Sequence, residues 1–179
     1  MGFVKRILVT GGSGFIGRYV VADFVSRGYD VFSTYRRNCP SENKKNNLKF
    51  IYTDFYNLDA LPKQYDVLVH CGAVNPGASS SDSEMYATNV KGSQHVFFHA
   101  MRSGVKLIIY LSSVSVYGTI KKNILKEDHP IEPTGAYGFS KFYGDEPIIA
   151  ENPESLFNNI VYIQDLTGFI VQFRLFFSS

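Results

Sequence analysis

Short runs of aliphatic residues alternate along the chain with stretches in which apolar positions recur every three or four residues. Val4 and Ile7-Leu8-Val9 form the first run, which stops at Thr10-Gly11-Gly12. Apolar residues at consecutive positions read as a strand buried on both faces. Phe15 to Arg27 then carries Phe15, Ile16, Tyr19, Val20 and Phe24 at helical spacing and ends at Gly28, a residue suited to a helix C-terminus. The strand pattern returns at Tyr29 to Thr34, Leu48 to Thr53, Asp66 to Cys71 and Val105 to Leu111, and Ser83 to Ser103 reads as a long helix closed by Gly104. Strands that alternate with helices predict a parallel sheet covered on both faces, because parallel neighbours need crossover connections. The expected fold class is α/β: a doubly wound parallel sheet in one domain.

Composition narrows the picture. The 179 residues are 45% apolar and include 15 Phe and 12 Tyr, enough to bury a sizeable core and to exclude wholesale disorder. The formal charge is +2, and basic residues cluster only at Lys44-Lys45 and Lys121-Lys122. Charge therefore gives no case for a nucleic-acid or membrane-surface partner. Two cysteines, Cys39 and Cys71, make no disulfide framework, and no apolar leader follows Met1, so the cytoplasm is expected. Arg174 interrupts the longest apolar stretch, Phe169 to Phe177, well short of the roughly 18 residues a membrane helix needs. Asn38 to Asn47 reads as a polar surface loop, and no linker or internal repeat divides the chain.

The first strand-to-helix turn carries glycines at 11, 14 and 17 within TGGSGFIG. Gly11 permits the tight turn, Gly14 lets backbone approach a pyrophosphate, and Gly17 lets the helix pack on the strand. The helix N-terminus then offers free N–H groups to the anion. At the end of the second strand an acid would bond the ribose hydroxyls of NAD, whereas Thr34-Tyr35-Arg36-Arg37 offers two guanidiniums instead. That favours NADP over NAD, against the plainer reading of solvated surface charge. Asp54 either accepts from the adenine amino group or caps a short helical stretch from Asn57. Further on, Tyr137 and Lys141 stand four apart, on one face of a helix, where the ammonium can lower the phenol's pKa for proton transfer. Ser113 follows the fifth strand, at the carboxyl edge where open α/β sheets bind ligands. His95 and His99 share a helix face but lack further ligands at metal spacing, so no metal site is expected.

With these motifs in order the chain resembles the extended short-chain dehydrogenase/reductase family, which holds NAD(P)-dependent nucleotide-sugar epimerases, dehydratases and reductases. The resemblance runs over residues 4–146 and rests on TGGSGFIG at 10–17, DVLVHCGA at 66–73, NVKG at 89–92, SSVSVYG at 112–118 and YGFSK at 137–141. It implies a Rossmann-like fold in which Tyr137 is the acid/base, Ser113 bonds the reacting oxygen and Lys141 holds the nicotinamide ribose. It implies pyrophosphate contacts from Phe15 and Ile16 and a cofactor cleft lined by Cys71, Gly72 and Ala73. It also suggests a contact from Asn89 near the active site, against solvent exposure. Cys71 itself reads as a small packing residue. The family's 4,6-dehydratases place Asp-Glu after the serine or threonine, whereas Val114-Ser115 stands here, which favours an epimerase or carbonyl reductase. The expected partner is a small-molecule substrate, a nucleotide sugar. Homodimerisation through the long helix is a family trait, although Val96, Phe97, Phe98 and Met101 fit a core equally well.

The chain also departs from the family pattern. Pro147 falls inside the continuation of the catalytic helix, where it costs about 3 kcal/mol or forces a kink. Asn152-Pro153 opens a fresh helix that Gly168 closes, and Phe173 to Ser179 looks like a sixth strand, where the substrate lobe would begin. The expectation is one cofactor domain over residues 1–179 with an atypical segment at 147–179 and no substrate lobe. Its alternative function is that of a non-catalytic NAD(P)-binding module.

Overall fold

The computed structural model describes residues 5–40, 45–77, 80–120, 125–126 and 129–144. Pro147, the helix from Asn152 and the strand at Phe173 to Ser179 lie outside those residues. Within them the aliphatic runs become β1 (Arg6–Thr10), β2 (Asp30–Tyr35), β3 (Leu48–Tyr52), β4 (Val67–His70) and β5 (Leu107–Tyr110). They form one sheet in the order β3-β2-β1-β4-β5, with every neighbouring pair parallel. The chain moves outward from β1 to β3, then returns to the other side of β1 for β4 and β5. The order therefore reverses at β1, which opens a crevice beyond the carboxyl ends of β1 and β4.

Consecutive apolar residues make sense once both faces are covered. Ile7 and Val9 of β1, Val67 and Val69 of β4 and Ile109 of β5 pack under α1 (Gly17–Ser26) with Val20, Val21, Phe24 and Val25. Leu8, Leu68, Ile108 and Tyr110, the alternate positions, pack on the opposite face with Val96, Phe97 and Ala100. The stripe that could have served a dimer is thus core. Val96 and Phe97 are fully buried, Met101 packs against the same cluster, and only Phe98 faces outward.

The long helix is continuous but not uniform. It opens at α2 (Asp82–Met85), where the Ser81 hydroxyl caps the Glu84 N–H at 3.1 Å. It passes through a π-helical stretch, Tyr86–Gly92, and ends as α3 (Ser93–Arg102). No helix follows Asp54: its carboxylate instead accepts from the N–H groups of Tyr56 and Asn57 at 2.9 and 3.1 Å, and Phe55 turns the chain at φ 73°. After β5, a 3₁₀ turn at Val114–Tyr117 leads toward α4 (Gly135–Tyr143). Among the described residues no helix is long and apolar enough to cross a membrane.

Candidate functional site

Strand register sets the site. Thr10 lies beside His70, and His70 beside Tyr110, so β1, β4 and β5 release their loops along a common edge. A cavity of about 310 Å³ lies there, within the size range of small-molecule sites.

Its floor is the glycine turn. Gly11 adopts φ 65°, and a Cβ at this position would stand 2.5 Å from the Gly72 Cα, so the loops after β1 and β4 touch backbone to backbone. A Cβ at Gly17 would collide with the Gly11 carbonyl, which is why α1 can begin so close to β1. Gly14 has only the Gly11 oxygen near its Cβ position, at 3.1 Å, and its backbone is exposed. The turn is tied to β2 by the Gly11 N–H, which donates to the Thr34 hydroxyl at 2.9 Å. Gly11, Gly14, Phe15, Ile16 and Gly17 all line the cavity, so the N-terminus of α1 opens onto it.

At the β2–β3 end the cavity wall includes Tyr35, Arg36 and Asp54. Arg36 donates to Glu84 of α2 at 3.4 Å, an exposed pair that joins residues far apart in sequence. Hydrogen bonds from the Asn57 and Tyr56 N–H groups, helped by Arg36, hold the Asp54 carboxyl below its ordinary range. Arg37 is exposed and is not part of the cavity wall.

At the β4–β5 end Cys71, Gly72, Ala73, Val74 and Asn75 form one wall, and Ser112, Tyr137 and Lys141 another. The helical spacing expected for Tyr137 and Lys141 holds, with both on α4 and both facing the cavity. Tyr137 donates from Oη to the Asn75 Oδ1 at 3.2 Å. Burial raises the Tyr137 pKa above its ordinary value, and the nearby Ser113 hydroxyl opposes that shift. The Lys141 ammonium lies 4.1 Å above the Tyr110 ring, and the Tyr110 hydroxyl donates to the Lys141 carbonyl at 3.3 Å. The ammonium thus sits on the Tyr110 ring, and the shift of Tyr137 is an upward one set first by burial, not the depression expected from the spacing. Ser113 caps the 3₁₀ turn by accepting the Ser115 N–H at 3.2 Å and is not part of the cavity wall.

Asn89 also stands away from the cavity wall. Fully buried at the centre of the π-helical stretch, it accepts the Val74 N–H at 2.7 Å. It returns two bonds, to the Val74 carbonyl at 2.9 Å and the Ser140 hydroxyl at 3.0 Å. Its amide thus pins the loop after β4 to the residue preceding Lys141. The π geometry, whose hydrogen bonds span one residue more than those of an α-helix, is of a kind often found at functional sites.

Beneath these groups His70 is fully buried, bonded through Nδ1 to the Thr10 hydroxyl and through Nε2 to the Ser93 hydroxyl at 2.8 Å. Burial, reinforced by the Lys141 charge, lowers its pKa to about 3, so it is neutral and structural. Burial likewise pushes the Cys71 thiol up to about 12, with Lys141 opposing, which fits a packing role rather than a reactive one. His95 and His99 pack against Tyr56 and Tyr65 respectively.

Asn75, Ser112, Tyr110 and His70 were not legible as site residues. The turn signal Asn75-Pro76-Gly77 after β4 marks a loop at the ligand-binding edge and would have pointed to Asn75.

Comparison with known proteins follows the same outline. The model of the NAD dependent epimerase/dehydratase family matches residues 7–162. A putative UDP-glucose 4-epimerase of Methanocaldococcus jannaschii is 32% identical over 152 residues, covering 79% of this chain and 49% of that protein. The Bordetella bronchiseptica enzyme WbmG, solved in complex with NAD, is 25% identical with a TM-score of 0.70, over 80% of this chain and 49% of its own. MoeE5, solved in complex with UDP-glucose and NAD, is 28% identical with a TM-score of 0.68, over 78% and 46%. The chain spans about half the length of the curated relatives it matches.

Proposed function

Because the chain belongs to the NAD dependent epimerase/dehydratase family, we propose that it binds NAD(P) along the carboxyl edge of the sheet and serves an epimerase or carbonyl reductase acting on a nucleotide sugar. The observation that carries this reading is the convergence on one cavity of the glycine turn, the loop after β4 and the Tyr137-Lys141 face of α4.

Two features fit a dinucleotide. The exposed backbone at Gly14 gives a phosphate close access, and the Ser112 hydroxyl is buried without a hydrogen-bond partner among the described residues. Gly11, Gly14, Gly17 and the backbone at Phe15 and Ile16 would cradle the pyrophosphate. Arg36 and Asp54 would meet the adenosine end, with Arg36 the group that accommodates the additional phosphate of NADP; NAD is accepted alongside it. Cys71, Gly72 and Ala73 would line the nicotinamide half, and Lys141 would hold its ribose. Bound there, the nicotinamide would take a hydride from a carbinol carbon or give one to a carbonyl carbon.

The chain's own groups handle the proton. The Tyr137 phenol, whose pKa burial raises further above an already high ordinary value, is protonated at neutral pH, so Oη donates when a carbonyl oxygen becomes a hydroxyl. Acting as a base requires a stabilised phenolate, and Lys141 is the cation on the same helix face that can provide it. Asn75 Oδ1 accepts from the phenol and orients it, and Ser113, whose hydroxyl opposes the rise in the phenol's pKa, would share the reacting oxygen. Val114-Ser115 provides no carboxylate after Ser113, which favours epimerisation or reduction over elimination.

The test combines titration calorimetry with NAD and NADP and an assay of UDP-sugar interconversion by wild type and Tyr137→Phe. Binding is expected, and where turnover occurs the phenylalanine variant should lose about 10²–10⁴-fold in rate. Binding without turnover on any nucleotide sugar would favour a non-catalytic module. Failure to bind either dinucleotide would overturn both readings.

A further inference from the structure

Among the described residues two buried side-chain hydroxyls lack a hydrogen-bond partner, those of Ser33 and Ser112. A buried polar group left unpaired is costly, and such groups in folded proteins usually have a role. The two differ in one respect that matters. Ser33 is fully buried within β2 and does not border the cavity, whereas Ser112 is partly exposed and forms part of the cavity wall beside Tyr137 and Lys141.

We infer that Ser112 is a cofactor-binding residue whose hydroxyl takes its hydrogen bond from the nicotinamide-nucleoside half of the dinucleotide. The inference rests on the proposed NAD(P)-binding function and adds a contact to it. The strand order assigns the half. β3 and β2 bring Asp54 and Arg36 to one end of the cavity, β1 brings the glycine turn to the middle, and β5 carries Ser112 to the opposite end. A dinucleotide whose pyrophosphate lies on the glycine turn and whose adenosine lies beyond β2 must place its nicotinamide nucleoside beyond β4 and β5. That moiety offers ribose hydroxyls and a carboxamide, which can donate to or accept from a serine. No hydrogen bond among the described residues holds the Ser112 Oγ where it is, so a χ1 rotation toward the cavity forfeits none.

The experiment compares wild type, Ser112→Ala and Ser33→Ala by calorimetry with two probes, NAD and ADP, and by thermal melting without ligand. ADP carries the adenosine and pyrophosphate but lacks the nicotinamide nucleoside. Ser112→Ala should weaken NAD about three- to tenfold, the range of one neutral hydrogen bond. It should leave ADP affinity and the ligand-free melting temperature unchanged, because the lost hydroxyl had no partner to abandon. Ser33→Ala should change neither affinity. Equal NAD affinity in wild type and Ser112→Ala, or a parallel loss for ADP, would overturn the inference while leaving the dinucleotide site intact. Wild type that binds neither probe would overturn the proposed function, and this inference with it.

Discussion

Replacing Asn89 with alanine removes the amide that ties the loop after β4 to α4, and the cost can be worked from its partners. Three hydrogen bonds go, one accepted from the Val74 N–H and two donated to the Val74 carbonyl and the Ser140 hydroxyl. Each contributes about 0.5–1.5 kcal/mol net. Val74 is buried, so its N–H and carbonyl would also be left without water, a penalty of about 1–3 kcal/mol. Partial relaxation of the loop offsets some of this, and we expect a loss of about 3 kcal/mol. For a chain of this size that is roughly 6–12 °C in melting temperature. Asn89→Asp should cost as much or more: it keeps an acceptor for the Val74 N–H, loses both donors and buries a charge. Because Cys71 to Asn75 form a wall of the cavity, NAD affinity should fall in Asn89→Ala as well. Urea denaturation followed by circular dichroism, with and without NAD, measures both effects. A loss under about 1 kcal/mol would mean that the π-helical stretch holds the loop by packing alone and that the amide bonds are incidental.

Three further outcomes follow from other parts of the structure. Gly17→Ala drives a methyl group into the Gly11 carbonyl and the Gly12 Cα and should cost about 1–3 kcal/mol in a thermal melt; an unchanged melting temperature would remove the close-packing role of the third glycine. Burial alone would raise the Asp66 pKa, but the Lys106 ammonium and the Lys5 and Arg6 N–H groups hold it at about 2 against an ordinary 3.8. Its stabilisation is therefore present above about pH 4 and is lost as pH falls toward 2; after allowing for solvent screening, Asp66→Asn should cost about 1 kcal/mol at neutral pH and nothing in strong acid, read from melts across pH. Arg36→Ala should weaken NADP by about 1.5 kcal/mol while leaving NAD nearly unchanged, since Glu84 already engages the guanidinium; equal losses for both cofactors would refute its role at the adenosine end.

Much of the frame was legible because strand and helix periods are local. The runs at Ile7 to Val9, Asp66 to Cys71 and Val105 to Leu111 marked strands to within a residue or two, and the glycine turn announced itself by spacing. What escaped depends on partners distant in sequence. Asn89 reads as polar on a mixed helix until Val74 and Ser140 are brought to it, and a π-helical stretch leaves no periodic signature over so few residues. The pairing of Arg36 with Glu84 joins β2 to α2 and is invisible at either end of the chain segment. Asp54 read equally as an adenine acceptor or as a helix cap, the latter because its residue type favours that use; the structure keeps the capping bonds but no helix follows them, since Phe55 turns the chain away. Tyr137 and Lys141 share a face as their spacing requires, yet spacing could not reveal that Tyr110 lies under the ammonium.

If the turn from Gly11 to Gly17 binds the pyrophosphate of a dinucleotide, Gly14→Ala should abolish or weaken that binding. A Cβ at Gly14 meets only the Gly11 oxygen, at 3.1 Å, so the variant should fold like wild type while its methyl group occupies the space a phosphate needs. Calorimetry with NAD should show saturable binding by wild type and a loss of about tenfold or more in Gly14→Ala, with circular dichroism spectra that superimpose. Equal affinity in the two proteins, or no binding by wild type at millimolar NAD, would mean that the glycine turn does not hold a dinucleotide.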